Sequence, residues 1–216
     1  QLPTQTVANK SKLPVDMQLA YLNGGAYGKV PVQLRGRLTP ANIEFADFED
    51  FKFGFWEAEK DIDLEVKNYT LDEQGGLRIE HDLPKVTKAH QLMMEMEFRD
   101  PSGETQTVSS RTQVWPAEVV PGIFIAEWAG ISSGQVVPIK VVTLGADGKP
   151  KANVPVKISA TLHSQQTHRK RTIGGFYAYE TIEKSRELPL NCEGRSDASG
   201  FYTCNARVTA SGEVKF

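Results

Sequence analysis

Apolar and polar residues alternate in steps of two along most of this chain, and no stretch carries the 3.6-residue spacing of a convincing amphipathic helix. Val154, Val156, Ile158, Ala160 and Leu162 alternate with Pro155, Lys157, Ser159 and Thr161. Leu92, Met94, Met96 and Phe98 alternate with Met93, Glu95 and Glu97, and Val30, Val32 and Leu34 with Pro31 and Gln33. Leu77 and Ile79 flank Arg78, and Val137, Ile139 and Val141 read the same way. Successive side chains of a strand point to opposite faces, so each such segment buries one face and wets the other. The pattern therefore predicts an all-β chain of antiparallel sheets packed through their apolar faces.

Turn residues punctuate these runs at residues 23–25 (Asn-Gly-Gly), 72–76, 100–103, 146–150 and 197–200, where Asp and Gly supply the Asx and positive-φ geometry of tight turns. Short strands with regularly spaced turns predict β-sandwiches. At 216 residues the chain suits two sandwich domains of about 100 residues each. The densest break is residues 115–122, with Pro116, Pro121 and Gly122, which places one immunoglobulin-like domain at 1–117 and a second at 118–216. The first 11 residues read as a lead-in strand or frayed tail. A strand pattern restarting at Val214, Lys215 and Phe216 suggests that the second domain is C-terminally truncated. The polar opening has no signal-peptide pattern, and the abrupt start and end suit an excised fragment.

Lys plus Arg total 25 and Asp plus Glu 27, a net charge of −2, which argues against general attraction to nucleic acid or anionic lipid. No apolar stretch approaches the roughly 18 residues that cross a bilayer. Two cysteines cannot build a four-thiolate zinc site, and the four histidines have no paired spacing. There is no Gly-x-Ser-x-Gly, no Gly-rich phosphate loop and no His-Glu-x-x-His. The expectation is a protein that is not an enzyme and uses no cofactor or metal.

Four features invite a closer reading. Cys192 and Cys204 are symmetric about Ala198, in the 197–200 turn, so two strands leaving that turn would set them opposite each other. A structural disulfide is the preferred reading, against a redox pair or two reduced buried thiols. It would imply an oxidising compartment. His168, Arg169, Lys170 and Arg171 form the densest basic cluster, a segment that trypsin-like enzymes would cut if it were exposed. The alternative is a solvated hairpin end, which the adjoining Phe176, Tyr177, Ala178 and Tyr179 favour because they read as an ordered strand. Phe45, Phe48, Phe51, Phe53, Phe55 and Trp56 are interleaved with Asp47, Glu49, Asp50 and Glu57. Such aromatics could stack on sugars, but core packing with an interdomain contact is the preferred reading. Asn68-Tyr69-Thr70 matches a glycosylation acceptor only as a short chance pattern.

Two stretches carry a resemblance. One runs from Leu71-Asp72-Glu73-Gln74-Gly75-Gly76-Leu77 to Asp82-Leu83-Pro84, and leads through an alternating strand and an Asp-x-x-Gly turn to Val114-Trp115-Pro116-Ala117. The other is His168-Arg169-Lys170-Arg171-Thr172-Ile173-Gly174-Gly175-Phe176-Tyr177-Ala178-Tyr179-Glu180, ahead of Cys192 and Cys204. Both resemble bacterial alpha-2-macroglobulins. The resemblance extends over nearly the whole chain and implies two macroglobulin-like domains of a large periplasmic protein that traps proteases after they cut a bait segment. It implies neighbouring domains, target proteases and other periplasmic proteins as partners, and an inner-membrane anchor outside these residues. There would be no nucleic acid partner and no direct membrane insertion. His168–Arg171 would then be bait or bait-adjacent. The family's thioester needs Cys-x-Glu-Gln, whereas Cys192 precedes Glu193-Gly194-Arg195 and Cys204 precedes Asn205-Ala206-Arg207. The thioester is therefore not expected here. The competing reading is a tandem immunoglobulin-like adhesin or cell-surface binding module, and a weaker one is an accessory domain of a carbohydrate-active enzyme.

Overall fold

The computed structural model describes residues 1–54, 60–126, 132–171 and 176–216. The strands in chain order are β1 (Val7–Ala8), β2 (Lys12–Gln18), β3 (Pro31–Pro40), β4 (Lys52–Phe53), β5 (Ile62–Asp63), β6 (Lys67–Thr70), β7 (Gly76–Asp82), β8 (His90–Arg99) and β9 (Thr105–Trp115). They continue with β10 (Val119–Ile125), β11 (Val136–Gly145), β12 (Pro155–Lys157), β13 (Ala160–Arg171), β14 (Tyr177–Leu188), β15 (Glu193–Arg195), β16 (Phe201–Arg207) and β17 (Glu213–Lys215). Among the described residues the one helical element is a 3-10 turn, Ala46–Phe48. The chain forms two compact units: Gln1–Phe45 with Phe53–Val120, and Ala46–Lys52 with Pro121–Phe216.

In the first unit a sheet of order β1-β9-β8-β3-β5, with β6 also on β3, faces the β2-β7 pair. All of its pairings are antiparallel except β1 on β9. The alternating segments fold as their period demands. Val32, Leu34 and Leu38 of β3 and Leu92, Met94 and Met96 of β8 join Leu13, Val15 and Met17 of β2 in one core. The other face of the same strands is wet and charged: Arg35 meets Glu95 at 2.7 Å and Arg37 meets Asp63 at 2.6 Å. Exposed pairs of this kind contribute well under about 1 kcal/mol each.

The second unit contains sheets of order β16-β11-β10-β4, β12-β15 and β14-β13-β17. Ile125, Val137, Ile139, Val141, Ile158, Ala160 and Leu188 form its core. The long alternating run at 154–162 is not one strand. It breaks at Ile158 and Ser159, so that β12 pairs with β15 while β13 pairs with β14 and β17. Burial continues unbroken through the switch, with Ile158 and Ala160 both in the core. Periodicity records which side of a strand is apolar, not which neighbour its backbone pairs with.

Turn chemistry recurs in both units. The Asp72, Asp100 and Asp197 carboxylates each accept backbone N–H groups two and four residues on, at 2.8–3.0 Å. In each turn the glycine three residues after the Asp has positive φ: Gly75 at 77°, Gly103 at 88° and Gly200 at 78°. A left-handed residue closes the turn, and glycine adopts that conformation without a Cβ penalty.

Candidate functional site

The least covered part of the second unit is the hairpin of β13 and β14. Its base is anchored by buried Ala160 and Leu188, a register pair. The third strand, β17, covers only Thr161, Leu162 and His163. Beyond that point the ribbon runs as two strands, through register pairs from Ser164 with Lys184 to Arg171 with Tyr177. Ser164 through Lys170 on one strand and Thr181 through Glu187 on the other are exposed. Both faces are therefore wet, which explains why the sequence here lacks the apolar alternation of the core strands.

Side-chain pairs across the ribbon hold its two strands in place. Gln165 Nε2 donates to Glu183 Oε1 at 3.2 Å and Lys184 Nζ to Gln166 Oε1 at 2.9 Å. The Thr167 and Thr181 hydroxyls lie 3.2 Å apart. Near the tip the Arg169 guanidinium stacks 3.6 Å from the centre of the Tyr177 ring. Cross-strand pairs of this kind each contribute some 0.2–1 kcal/mol.

His168, Arg169 and Lys170 thus sit on an exposed, regularly paired strand. Arg171 ends that strand, and its side chain lies outside the described residues, as do Thr172, Ile173, Gly174 and Gly175. Phe176, Tyr177 and Tyr179 stand out: they are 76%, 53% and 73% exposed. In the sequence these aromatics predict an ordered strand. The strand is there, but the rings are not buried in it. The signal for that outcome was the polarity of the partner segment at 164–170, which offers aromatics no apolar face to cover.

Cys192 and Cys204 form a disulfide, with Cα atoms 5.7 Å apart. The geometry differs from the hairpin expected around Ala198. The 197–200 turn forms, with Gly200 N donating to Asp197 O at 3.0 Å. The strands leaving it then diverge, β15 pairing with β12 and β16 with β11. The disulfide therefore ties the β12-β15 pair to the four-stranded sheet, rather than bridging two strands of one ladder. Beside Cys192, Lys157 and Glu193 pair at 2.5 Å, and that hydrogen bond raises the Lys157 pKa.

The aromatic stretch divides between the units. Phe45 packs edge-on to Phe53 and Trp115 in the first unit, with centroids 5.0 and 6.1 Å apart. Phe48 and Phe51 belong to the second unit, where both pack on Phe201, and Phe51 also packs on Phe124. Lys140 Nζ lies 4.5 Å from the centre of the Phe201 ring. These rings occupy one another's faces rather than forming an open platform for a sugar. Phe55, Trp56 and Glu57 lie outside the described residues. Among the described residues no three His, Cys, Asp or Glu side chains gather as metal ligands would, and no helix is long and apolar enough to cross a membrane.

Residues 1–116 match the family model of the bacterial alpha-2-macroglobulin MG5 domain. Among solved structures, E. coli alpha-2-macroglobulin activated by porcine elastase is similar at a TM-score of 0.65 and 16% identity, over 95% of this chain and 19% of that one. Native E. coli alpha-2-macroglobulin gives 0.62 and 16%, over 96% of this chain and 14% of that one. Salmonella alpha-2-macroglobulin reacted with methylamine gives 0.61 and 16%, over 95% and 15%. At such identities the likeness is one of fold, and this chain spans less than one fifth of the length of those relatives. No curated protein sequence matches the chain.

Proposed function

The chain belongs to the bacterial alpha-2-macroglobulin family, and from that membership we propose that it is a structural, non-enzymatic module of a longer protease-trapping inhibitor. The observation that carries the reading is the family match over residues 1–116, together with two sandwich-like units whose side chains are spent on packing and turns. The units act as spacers and walls. After a protease cuts elsewhere in the longer chain, stiff sandwiches carry the rearrangement and motion concentrates where units join. We place the boundary between the two macroglobulin-like domains at 117/118, between β9 and β10. Both sulfurs are committed to one disulfide and neither cysteine has the thioester sequence, so thioester capture of a protease is not part of the role proposed for these residues. The disulfide and the family suit the periplasm.

The test is a trapping assay on the longer chain containing these residues. After incubation with elastase, a trap leaves cleavage of a small peptide substrate intact and blocks cleavage of a large protein substrate. Equal cleavage of the large substrate with and without the inhibitor would remove the reading, and would leave the adhesin-like binding module as its successor.

The exposure of His168, Arg169 and Lys170 supports a second, narrower proposal: trypsin-like proteases reach this end of the hairpin. Limited digestion of the folded chain, read by mass spectrometry, should give early cuts between residues 162 and 187. Resistance there would make the hairpin passive scaffold.

A further inference from the structure

We propose that the outer edge of β9, from Thr105 to Ser109, pairs antiparallel with the same edge of a second copy of this chain, Val108 against Val108. Among the described residues that edge is open. Beyond β9 the sheet continues only with β1, which pairs with Val114 and Trp115. The first residues of the chain reach β9 no lower than Ser110, whose Oγ accepts the Leu2 N–H at 3.3 Å. The main-chain groups that face outward follow from the hairpin turn. Asp100 N donates to Glu104 O at 2.9 Å, which makes these two a bonded pair of the β8-β9 ladder. Bonded pairs alternate along an antiparallel ladder, so Phe98 with Gln106 and Met96 with Val108 are the next ones. Thr105, Thr107 and Ser109 therefore turn their N–H and C=O groups away from β8. Trp115, in phase with them, accepts the Asn9 N–H from that same outer side at 3.0 Å.

This edge also lacks the usual guards. Sheets turn foreign strands away with charges, prolines or bulges along the edge. The outer strand β7 carries Arg78, Glu80 and Asp82, and β14 carries Glu183, Lys184, Arg186 and Glu187. Residues 105–110 of β9 carry no charge and no proline, and their register runs without a bulge. Thr105, Thr107 and Val108 are β-branched, which suits a strand. Residues 105–109 are exposed on both faces of the sheet. A second copy supplies the complement. A two-fold axis through Val108, normal to the sheet, sets Thr107 opposite the other copy's Ser109 and Ser109 opposite its Thr107, both as bonded pairs. Val108, 53% exposed, then meets its own counterpart in a non-bonded pair, where side chains approach most closely. The same register sets Gln106 on Ser110 and Thr105 on Arg111, so no like charges are opposed. A ladder this short buries far less than the roughly 800 Å² per partner of a stable complex. The dimer is accordingly weak and fills as the concentration rises through about 0.1–1 mM.

Cross-linking of the full chain tests both the occupant and the register. In a Val108→Cys variant the two introduced thiols lie on Cα atoms about 4.5 Å apart in the dimer, within disulfide reach. In a Gln106→Cys variant, on the same face, the two thiols lie several residues apart. Mild oxidation in that concentration range should yield a covalent dimer of the first variant, linked at residue 108 by peptide mapping, and about tenfold less of the second. Sedimentation of the unaltered chain should show its average mass rising with concentration. Over the same series hydrogen exchange should slow at Thr105, Thr107 and Ser109 and stay constant at Gln106 and Val108. Val108→Lys should abolish both effects, because it opposes two cations at the axis. These side chains lie outside the core, and an unchanged thermal midpoint verifies folding of each variant. A mass that stays monomeric throughout, or equal cross-linking of the two Cys variants, overturns the proposal. So does protection of Thr107 and Ser109 that arises only when an unrelated extended peptide is added, which would give the edge to a foreign strand.

Discussion

His81 is 3% exposed in β7, and its Nδ1 has no hydrogen-bond partner among the described residues. Burial foremost, and then the Lys67 cation, lower its pKa below the ordinary 6.5, while Asp82 and Glu65 oppose them. The unfolded chain therefore takes up a proton on His81 at a pH where the folded chain does not. Stability on this account is complete above about 6.5 and falls as the pH drops toward the folded pKa, by at most about 1.4 kcal/mol per pH unit. Urea unfolding at pH 7.5 and 5.5 should show that loss, and a His81→Leu variant should show less of it. Equal losses in the two proteins would assign the titration to another group. At Cys192 and Cys204 the expectation is simpler. Replacing both by Ser should lower the stability of the second unit by about 3 kcal/mol, the value for a ring of this size, as read from denaturation under non-reducing conditions.

At the scale of single elements, the Asp-x-x-Gly turns and the long ribbon make opposite predictions. A Cβ at Gly200 would stand 2.7 Å from the Pro150 Cβ, and the residue holds φ at +78°. Gly200→Ala is therefore strained twice over and should cost more than about 1 kcal/mol, measurable as a lowered urea midpoint. The ribbon is ordered by its own cross-strand pairs and contributes nothing to the core beyond its base. Replacing residues 164–184 by a two-residue Asn-Gly turn should thus leave the stability of the second unit within about 0.5 kcal/mol. A large loss of thermal stability would mean that the distal ribbon supports the sandwich.

For the molecule as a whole, the consequential feature is that Ala46–Lys52 leaves the sequence of the first unit to pack in the second. Phe51 lies 5.8 Å from Phe124 and 6.1 Å from Phe201, centre to centre. Phe51→Ala should therefore destabilise the second unit, by about 1–3 kcal/mol for a half-buried ring, although the residue lies some seventy positions before that unit's main segment. Hydrogen exchange is the measurement: protection should fall in β10 and β16 and persist in β3 and β8. Loss confined to β3 and β8 would place the ring with the first unit instead.

The apolar faces of the main strands are legible in the residues alone, because a two-residue period is a local property that any sheet must satisfy. Leu92, Met94 and Met96 could point inward together in no other regular structure. The turns are equally local, since an Asp carboxylate reaching backbone N–H groups two and four residues on needs no distant partner. The aspartate turns at 72, 100 and 197 were legible for that reason. Which strands pair is set by long-range contacts. The split of 154–162 between two sheets, the disulfide joining different sheets and the transfer of Phe48 and Phe51 to the second unit are contacts between residues far apart in sequence, and periodicity carries no record of them. The candidate site was half legible. The basic cluster at 168–171 and the aromatics at 176–179 are plain in the sequence. Their exposure follows from how far β17 runs along β13, and that is a long-range pairing which no local pattern encodes.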